Sequence, residues 1–198
     1  MIKKALPVAS LLALAALAMP VEASADDAPA ATTASIKGWG RMDFPAPGND
    51  VQVSVDAHGT YTEDSPSFPT RSTGTFRVYH RIDQGKGKPP FVNWGDFKVD
   101  CLTTGGPTAT VTGTLVRTVP GGPWQEFADR HARMGISFYI AGKGGGPSRI
   151  GLSGMPKAGE TQIAKCMAPA ADAAVIKGGY ALEDKGPRRP QDSRLRQG

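Results

Sequence analysis

Residues 74–82 have the sequence GTFRVYHRI, in which apolar and polar side chains alternate along the whole run. Phe76, Val78 and Ile82 occupy every second position, His80 lies in phase with them, and arginine and tyrosine fill the positions between. Successive side chains of a β-strand point to opposite faces of its sheet. The run therefore predicts a half-buried strand whose inward face includes His80.

Six other short runs have the same character, and segments rich in glycine and proline separate them. They are residues 50–57, 96–102, 108–118, 135–141, 148–153 and 175–182. The glycine-rich stretch 142–146 predicts a hairpin, because glycine tolerates the positive φ angles of tight turns. The alternation also places Cys101 on one face with Phe97 and Val99. Together these runs predict an all-β fold, a small antiparallel β-barrel or sandwich of about seven to eight strands.

One segment lacks the alternation. Residues 123–133 (PWQEFADRHAR) place Trp124, Phe127 and Ala128 at positions i, i+3 and i+4. This is the spacing of residues that share one face of a helix. We expect one short helical turn or lid here.

The first 25 residues predict export from the cytoplasm. Lys3 and Lys4 precede an apolar run that ends at Met19, and Ala-Ser-Ala follows at residues 23–25. This order is typical of a secretory signal peptide, here cleaved near Ala25. The run is shorter than the roughly 20 apolar residues of a membrane-spanning helix. We therefore expect a secreted or periplasmic protein.

Composition divides the remaining chain into three parts. Residues 26–35 are small and polar and predict a flexible mature N-terminus, residues 36–184 form the predicted β-barrel domain, and residues 185–198 predict a disordered basic tail. Acidic and basic residues balance over 26–184. A balanced surface does not favour a nucleic-acid partner.

The predicted tail contains most of the excess positive charge. Its four arginines are Arg188, Arg189, Arg194 and Arg196. They allow two interpretations, a solubilising tail or a tether to an anionic envelope surface.

The chain has two cysteines, Cys101 and Cys166. In an exported protein, two cysteines most simply form one intramolecular disulfide. They lack the paired CxxC spacing of zinc sites, and a redox-active pair is usually close in sequence. We therefore expect a structural disulfide.

Four segments carry recognisable motifs: residues 50–58 (DVQVSVDAH), 72–80 (STGTFRVYH), 98–113 (KVDCLTTGGPTATVTG) and 148–152 (SRIGL). They resemble a loose group of hypothetical secreted bacterial β-barrel proteins, sometimes labelled repetin, in which a VDC strand meets a GxTAxVTG strand. The resemblance implies a small antiparallel barrel with a cysteine pair and no established activity. The group usually has an aspartate where Ser148 stands here, so a charged site at that position does not carry over.

Three side chains are the candidate ligand-binding residues. His80 should point into the barrel, where an imidazole can orient a ligand. Trp94 and Trp124 lie near prolines, which suggests loops. Aromatic residues at loop tips often bind sugars or apolar ligands. The alternative is that all three are ordinary core residues.

The sequence identifies no catalytic residue, metal site or cofactor. Ser153 stands in GLSGM, where the second glycine of the G-x-S-x-G nucleophile motif is misplaced. Asp56 and His58 are interpreted as the turn after the first strand rather than as metal ligands.

These observations favour a non-enzymatic secreted β-barrel, a binding or envelope-associated module with a small apolar ligand as its possible partner. Two alternatives remain open at this point. One is a small secreted enzyme, an isomerase or hydrolase, that uses the interior His80 as an acid or base. The other is a protein held at the envelope by its basic tail. The oligomeric state and the ligand are not predicted.

Overall fold

In the computed structural model, which describes residues 31–184, eight antiparallel strands pair in sequence order and the eighth pairs with the first to close a barrel. The elements are β1 Ala31–Met42, β2 Asn49–Thr62, β3 Arg71–Ile82, β4 Phe91–Gly105, β5 Thr108–Thr118, α1 Gln125–Asp129, β6 Arg133–Tyr139, β7 Arg149–Leu152 and β8 Ala173–Glu183. The prediction of an all-β antiparallel barrel is confirmed. The predicted signal peptide at 1–25 and the basic tail at 185–198 lie outside the described residues.

The short helical turn and the glycine-rich hairpin are also confirmed. Helix α1 has five residues and lies between β5 and β6. The loop that contains residues 142–146 connects β6 to β7, which pair antiparallel. Within residues 31–184, no helix is long and apolar enough to cross a membrane.

The barrel begins earlier than its predicted boundary. Strand β1 starts at Ala31 and pairs with β2 along its whole length, so residues 31–35 belong to the sheet rather than to a flexible terminus. Two inward positions of β1 are Gly38 and Gly40, which weaken the apolar alternation. A side chain at Gly38 would collide with the Gly179 carbonyl oxygen of β8, and one at Gly40 would collide with the aromatic ring of Tyr180.

Strand β2 is longer than predicted. Asp56 and His58 lie inside it rather than in a turn. Gly59 and Tyr61 continue the inward face beyond them, and the Tyr61 hydroxyl donates a hydrogen bond to the Leu102 carbonyl oxygen at 2.7 Å. Cross-strand pairing with β3 therefore overrides the turn propensity of the Asp-Ala-His-Gly sequence.

Aromatic rings fill the middle of the barrel. Phe76 and Phe97 are directly opposite in the β3–β4 pair and stack with ring centroids 4.5 Å apart. Tyr180 meets Phe138 edge to face at 4.9 Å, and its side chain lies over Gly40 so that its hydroxyl donates to the Val53 carbonyl oxygen of β2. Burial raises the pKa of Tyr180, so this hydroxyl stays protonated.

A β-bulge at Asp100 turns Cys101 away from the core. The β4–β5 register shifts between Val99 and Cys101, so Leu102 enters the core and Cys101 faces outward. The predicted common face of Cys101 with Phe97 and Val99 is therefore wrong, because the extra residue of a bulge reverses the alternation that follows it.

The outward Cys101 forms the predicted disulfide with Cys166, and the two Cα atoms lie 5.3 Å apart. Cys166 belongs to residues 153–172, which contain no helix or strand and which we call the strap. The strap crosses the outer face of the barrel and buries Cys101 completely.

A polar network lies beneath the strap. Asp100 accepts hydrogen bonds from the Thr112 hydroxyl at 2.5 Å and from Arg133 Nε at 2.7 Å. The Thr112 hydroxyl oxygen also accepts from the Cys166 amide. The Arg133 amide donates to the side chain of Gln162 at 3.0 Å. The bulge thus places Asp100 beside Thr112 and Arg133, the two residues that bind Cys166 and Gln162 of the strap.

Gly151→Ala should destabilise the protein, because the new methyl group would lie directly against the Ala170 carbonyl oxygen of the strap. Overpacking of this kind costs about 1–3 kcal/mol. Urea denaturation measures the loss. Gly142→Ala is the matched control, because nothing lies within 4 Å of the position its methyl group would take. Equal stability of the two variants would show that the strap does not pack as described.

Replacement of both cysteines (Cys101→Ala, Cys166→Ala) should lower the free energy of unfolding by roughly 4 kcal/mol, the chain-entropy value for a loop of this length. The cysteines are 65 residues apart in sequence. Urea denaturation of the non-reduced protein and of the double variant gives the difference. An unchanged midpoint would contradict a structural role for the disulfide.

Candidate ligand site

The interior is open at one end of the barrel. A cavity of about 910 Å³ lies there, next to the β1–β2 turn, the start of α1 and the start of the strap. Its floor is formed by inward side chains of four strands, Met42, Val51, Val78 and Met134. This volume lies within the range of sites that hold small organic molecules.

The walls come from three segments outside the strands. Phe44 extends from the β1–β2 turn, Trp124 and Phe127 come from the helical turn, and Met155 comes from the strap. Trp124 also packs edge-on against Phe97, with ring centroids 6.4 Å apart. The helical turn therefore rests on the aromatic core, and its residues line part of the cavity.

His80 is the titratable side chain that β3 presents to the cavity. Its Nε2 lies 2.5 Å from the Asn49 side-chain oxygen, and its ring is tilted against that of Phe44 at 5.6 Å. Burial lowers the pKa of His80 below its usual 6.5. The imidazole is therefore neutral at pH 7 and leaves the cavity without a buried charge.

Asn93 lies directly opposite His80 in the β3–β4 pair and faces the same interior. It is 3% exposed, and its side-chain oxygen has no hydrogen-bond partner among the described residues. Directly opposed residues of an antiparallel pair have Cβ atoms about 5 Å apart. Two polar side chains thus stand side by side on an otherwise apolar face.

The rim of the cavity is charged and balanced. Asp43 and Asp172 contribute two carboxylates, and Arg149 and Lys157 contribute two cations. All four residues are exposed. Arg149 donates a hydrogen bond to the Asp172 backbone oxygen at 2.8 Å, which ties the end of the strap to β7. The charges therefore lie in solvent at the mouth, whereas the interior is apolar.

The structure brings His80 and Trp124 together and places Trp94 elsewhere. Trp94 lies within β4 on the outer face rather than at a loop tip. The guanidinium groups of Arg77 and Arg117 lie 4.8 and 5.7 Å from its ring centroid, and both bind Asp96. The hydrogen bond from Arg77 holds the pKa of Asp96 below its usual value. Trp94 is therefore held on the outer face by cation–π contacts with the two arginines.

No metal site is evident in residues 31–184, where no three His, Cys, Asp or Glu side chains converge. His58 Nε2 lies 3.0 Å from an Asp56 carboxylate oxygen, whose other oxygen pairs with Lys37 at 2.8 Å. The hydrogen bond from Lys37 is the main reason that the pKa of Asp56 is lowered. This exposed group is an ordinary ion-pair cluster.

Comparison with known proteins adds no identification. No protein-family model, curated protein or solved structure matches this chain. The resemblance to hypothetical secreted β-barrel proteins therefore stays a prediction.

Sequence reasoning missed the buried Asn93 beside His80 and the three methionines that line the cavity, Met42, Met134 and Met155. Asn93 is in phase with Phe97 and Val99, so the alternation of β4 could have indicated an inward polar residue. Met134 is in phase with Ile136 and Phe138, so the alternation of β6 could also have indicated it, whereas Met155 carries no such signal because it reaches the cavity from the irregular strap.

The lowered pKa of His80 should make stability depend on pH. Below pH 6.5 the unfolded chain binds a proton that the folded His80 resists, so stability should fall as the pH drops from 6.5 toward the lowered pKa. His80→Phe should reduce this fall, whereas His58→Ala on the outer face should retain it. Urea denaturation between pH 7.5 and pH 5 measures both. An identical pH profile for His80→Phe and the unaltered protein would show that His80 is not buried as described.

Proposed function

We propose that this protein is an exported, non-enzymatic β-barrel that binds a small, largely apolar ligand in the cavity at one end of its barrel. The observation that carries the proposal is the cavity itself, because the rest of the interior is closely filled by the side chains of its core. A barrel of eight strands has room either for a packed core or for one small ligand. Here the packed core occupies the middle, and the ligand would occupy the open end.

The chemistry of the lining supports an apolar ligand of adaptable shape. Aromatic rings of Phe44, Trp124 and Phe127 face the cavity together with methionine side chains. Aromatic residues bury a large apolar area in rigid form. Methionine is flexible and polarisable, so it adjusts to ligands of irregular outline.

The contacts of His80 favour binding over acid–base catalysis. A catalytic imidazole is usually oriented by a carboxylate or paired with a nucleophile. His80 instead bonds to the amide of Asn49. Ser153 also lines the cavity, but its hydroxyl oxygen accepts a hydrogen bond from the Gly135 amide. Neither the His80–Asn49 contact nor the Gly135–Ser153 contact activates a general base or a nucleophile.

Export is supported by the disulfide. Cys101 and Cys166 are joined, and structural disulfides persist in oxidising compartments. Such a protein would act outside the cytoplasm as a carrier or receptor of its ligand.

Substitution of the two tryptophans separates the cavity from the outer face. Trp124→Leu removes an aromatic wall and should weaken the binding of an uncharged fluorescent naphthalene probe roughly tenfold, the usual effect of losing an aromatic anchor. Trp94→Leu is the matched control and should bind the probe as the unaltered protein does. Fluorescence titration measures both dissociation constants. Equal weakening by the two substitutions, or no binding by the unaltered protein, would contradict the proposed site.

A further inference from the structure

We infer that the outer face of strands β1 to β5 binds an acidic oligosaccharide, a chain of sugar units that carry carboxylate groups, in a groove beside Trp39. This site lies on the opposite side of the sheet from the cavity, so it goes beyond the proposed function and does not depend on it. Three features carry the inference: an indole that lies flat on the sheet, a groove lined by hydrogen-bonding side chains, and an excess of positive charge.

The indole of Trp39 lies along the surface of the sheet. Its Nε1 donates a hydrogen bond to the Gln52 side-chain oxygen of β2 at 3.1 Å. At its other end the six-membered ring covers Gly178 of β8, where a methyl group would lie 2.6 and 2.9 Å from two of the ring carbons. Because the half-buried ring contacts the strands on both sides of β1, one aromatic face rests on the sheet and the other faces solvent. An exposed, flat indole of this kind offers a stacking surface to the apolar face of a sugar ring.

A groove of about 670 Å³ lies beside Trp39 on the outer face. Ser54, which is directly opposite Trp39 in the β1–β2 pair, lines it. The hydrogen-bonding side chains of the groove are Ser54, Asp56, Thr75, Arg77, Asp96 and Arg117. Such a lining contains both donors and acceptors, as do the hydroxyl groups of a sugar. A chain of phosphates would instead meet two carboxylates.

The groove is wide enough for more than one sugar unit. Trp39 in β1 and Arg77 in β3 are two strands apart, which is about 10 Å across a sheet. A single sugar ring does not span that distance. The ligand that contacts both residues is therefore an oligosaccharide rather than a monosaccharide.

Two arginines of the groove have hydrogen-bond donors to spare. Arg77 and Arg117 each bind Asp96 through Nε and Nη2, and among the described residues neither Nη1 has a hydrogen-bond partner. Their side chains are 45% and 68% exposed. The ring of Trp94 and the carboxylate of Asp96 hold both guanidinium groups in place. Guanidinium groups that are already ordered bind a carboxylate with a smaller loss of side-chain entropy.

Positive charge is in excess around the groove. Two neighbouring cross-strand rows contain it, Lys37–Asp56–Thr75–Lys98 and Trp39–Ser54–Arg77–Asp96–Arg117. These rows hold four cations and two carboxylates, whereas acidic and basic residues balance over 26–184. A local excess of one sign attracts ligands of the other sign. The flat indole selects a sugar ring, and the charge selects a sugar acid.

Hexamers of galacturonate and of mannuronate test the inference at pH 7, and the NMR shifts of the indole N–H groups report binding. We expect at least one hexamer to shift the Trp39 signal and to leave that of Trp124 in the cavity unchanged. The methyl ester of that hexamer keeps the sugar rings without the charge, and hexaglutamate keeps the charge without the rings. Each should bind roughly tenfold more weakly, because each lacks one of the two kinds of contact.

Substitutions locate the site. Trp39→Ala should weaken binding of the hexamer roughly tenfold, the usual effect of losing an aromatic anchor. Arg117→Gln should weaken it about threefold, the effect of losing one exposed ion pair. The second variant changes an exposed side chain, so it tests the site even if Trp39→Ala does not fold. Phe68→Ala is the matched control, because Phe68 is a 60% exposed aromatic residue on the β2–β3 turn and lies outside the groove.

Three results would overturn the inference. The absence of a Trp39 shift with both hexamers would show that the groove binds no sugar acid. Equal affinity for hexaglutamate would show that this face attracts any polyanion. A Trp39 shift that depends on protein concentration alone would show that a second copy of the chain covers the face. Each of these results would leave the proposed apolar cavity untouched.

Discussion

The bond between Cys101 and Cys166 joins the two parts of the molecule that together form the cavity. The strands alone make an incomplete wall, because β7 has four residues and pairs with β8 at two positions only. The strap completes that wall with Ser153, Gly154 and Met155. The disulfide to β4 and the hydrogen bonds of Cys166 with Thr112 and of Gln162 with Arg133 fix the strap to β4, β5 and β6. Covalent and polar contacts therefore replace the strand pairing that the barrel lacks here.

The interior is divided into a rigid half and an open half. The stacked rings of Phe76 and Phe97, together with the Tyr180 side chain that lies over the glycines of β1, fill the middle. Close packing of this kind resists rearrangement. The walls of the open end consist instead of side chains from the β1–β2 turn, the helical turn and the strap. The closely packed aromatic core supports cavity walls that can adjust their side chains. This arrangement suits a module that binds a ligand without reacting with it.

The fold was largely predictable from local sequence, whereas the site was not. The alternation in β3 and β5 indicated both strands, and His80 faces the interior as its phase with Phe76 and Val78 predicted. Strand β1 was missed because its inward glycines make room for Tyr180, which is distant in sequence. The bulge at Asp100 has no local signature, because Phe97, Val99 and Cys101 keep the alternation of an unbroken strand through it.

The two tryptophans show the same limit. Trp94 and Trp124 both follow prolines in the sequence. Trp94 nevertheless lies between arginines on the outer face, whereas Trp124 lines the cavity. The register of β4 and the position of the helical turn decide between these places. Register depends on pairing across the whole sheet, so no short stretch of sequence reveals it.

Native mass spectrometry of the chain purified gently from its own host, beside the denatured non-reduced mass, tests the central claim most directly. A ligand-binding barrel predicts a native mass that exceeds the denatured mass by one small molecule, with that excess reduced in Trp124→Leu and retained in Trp94→Leu. The excess mass would also begin the identification of the ligand. A native mass equal to the denatured mass in all three proteins would contradict the claim.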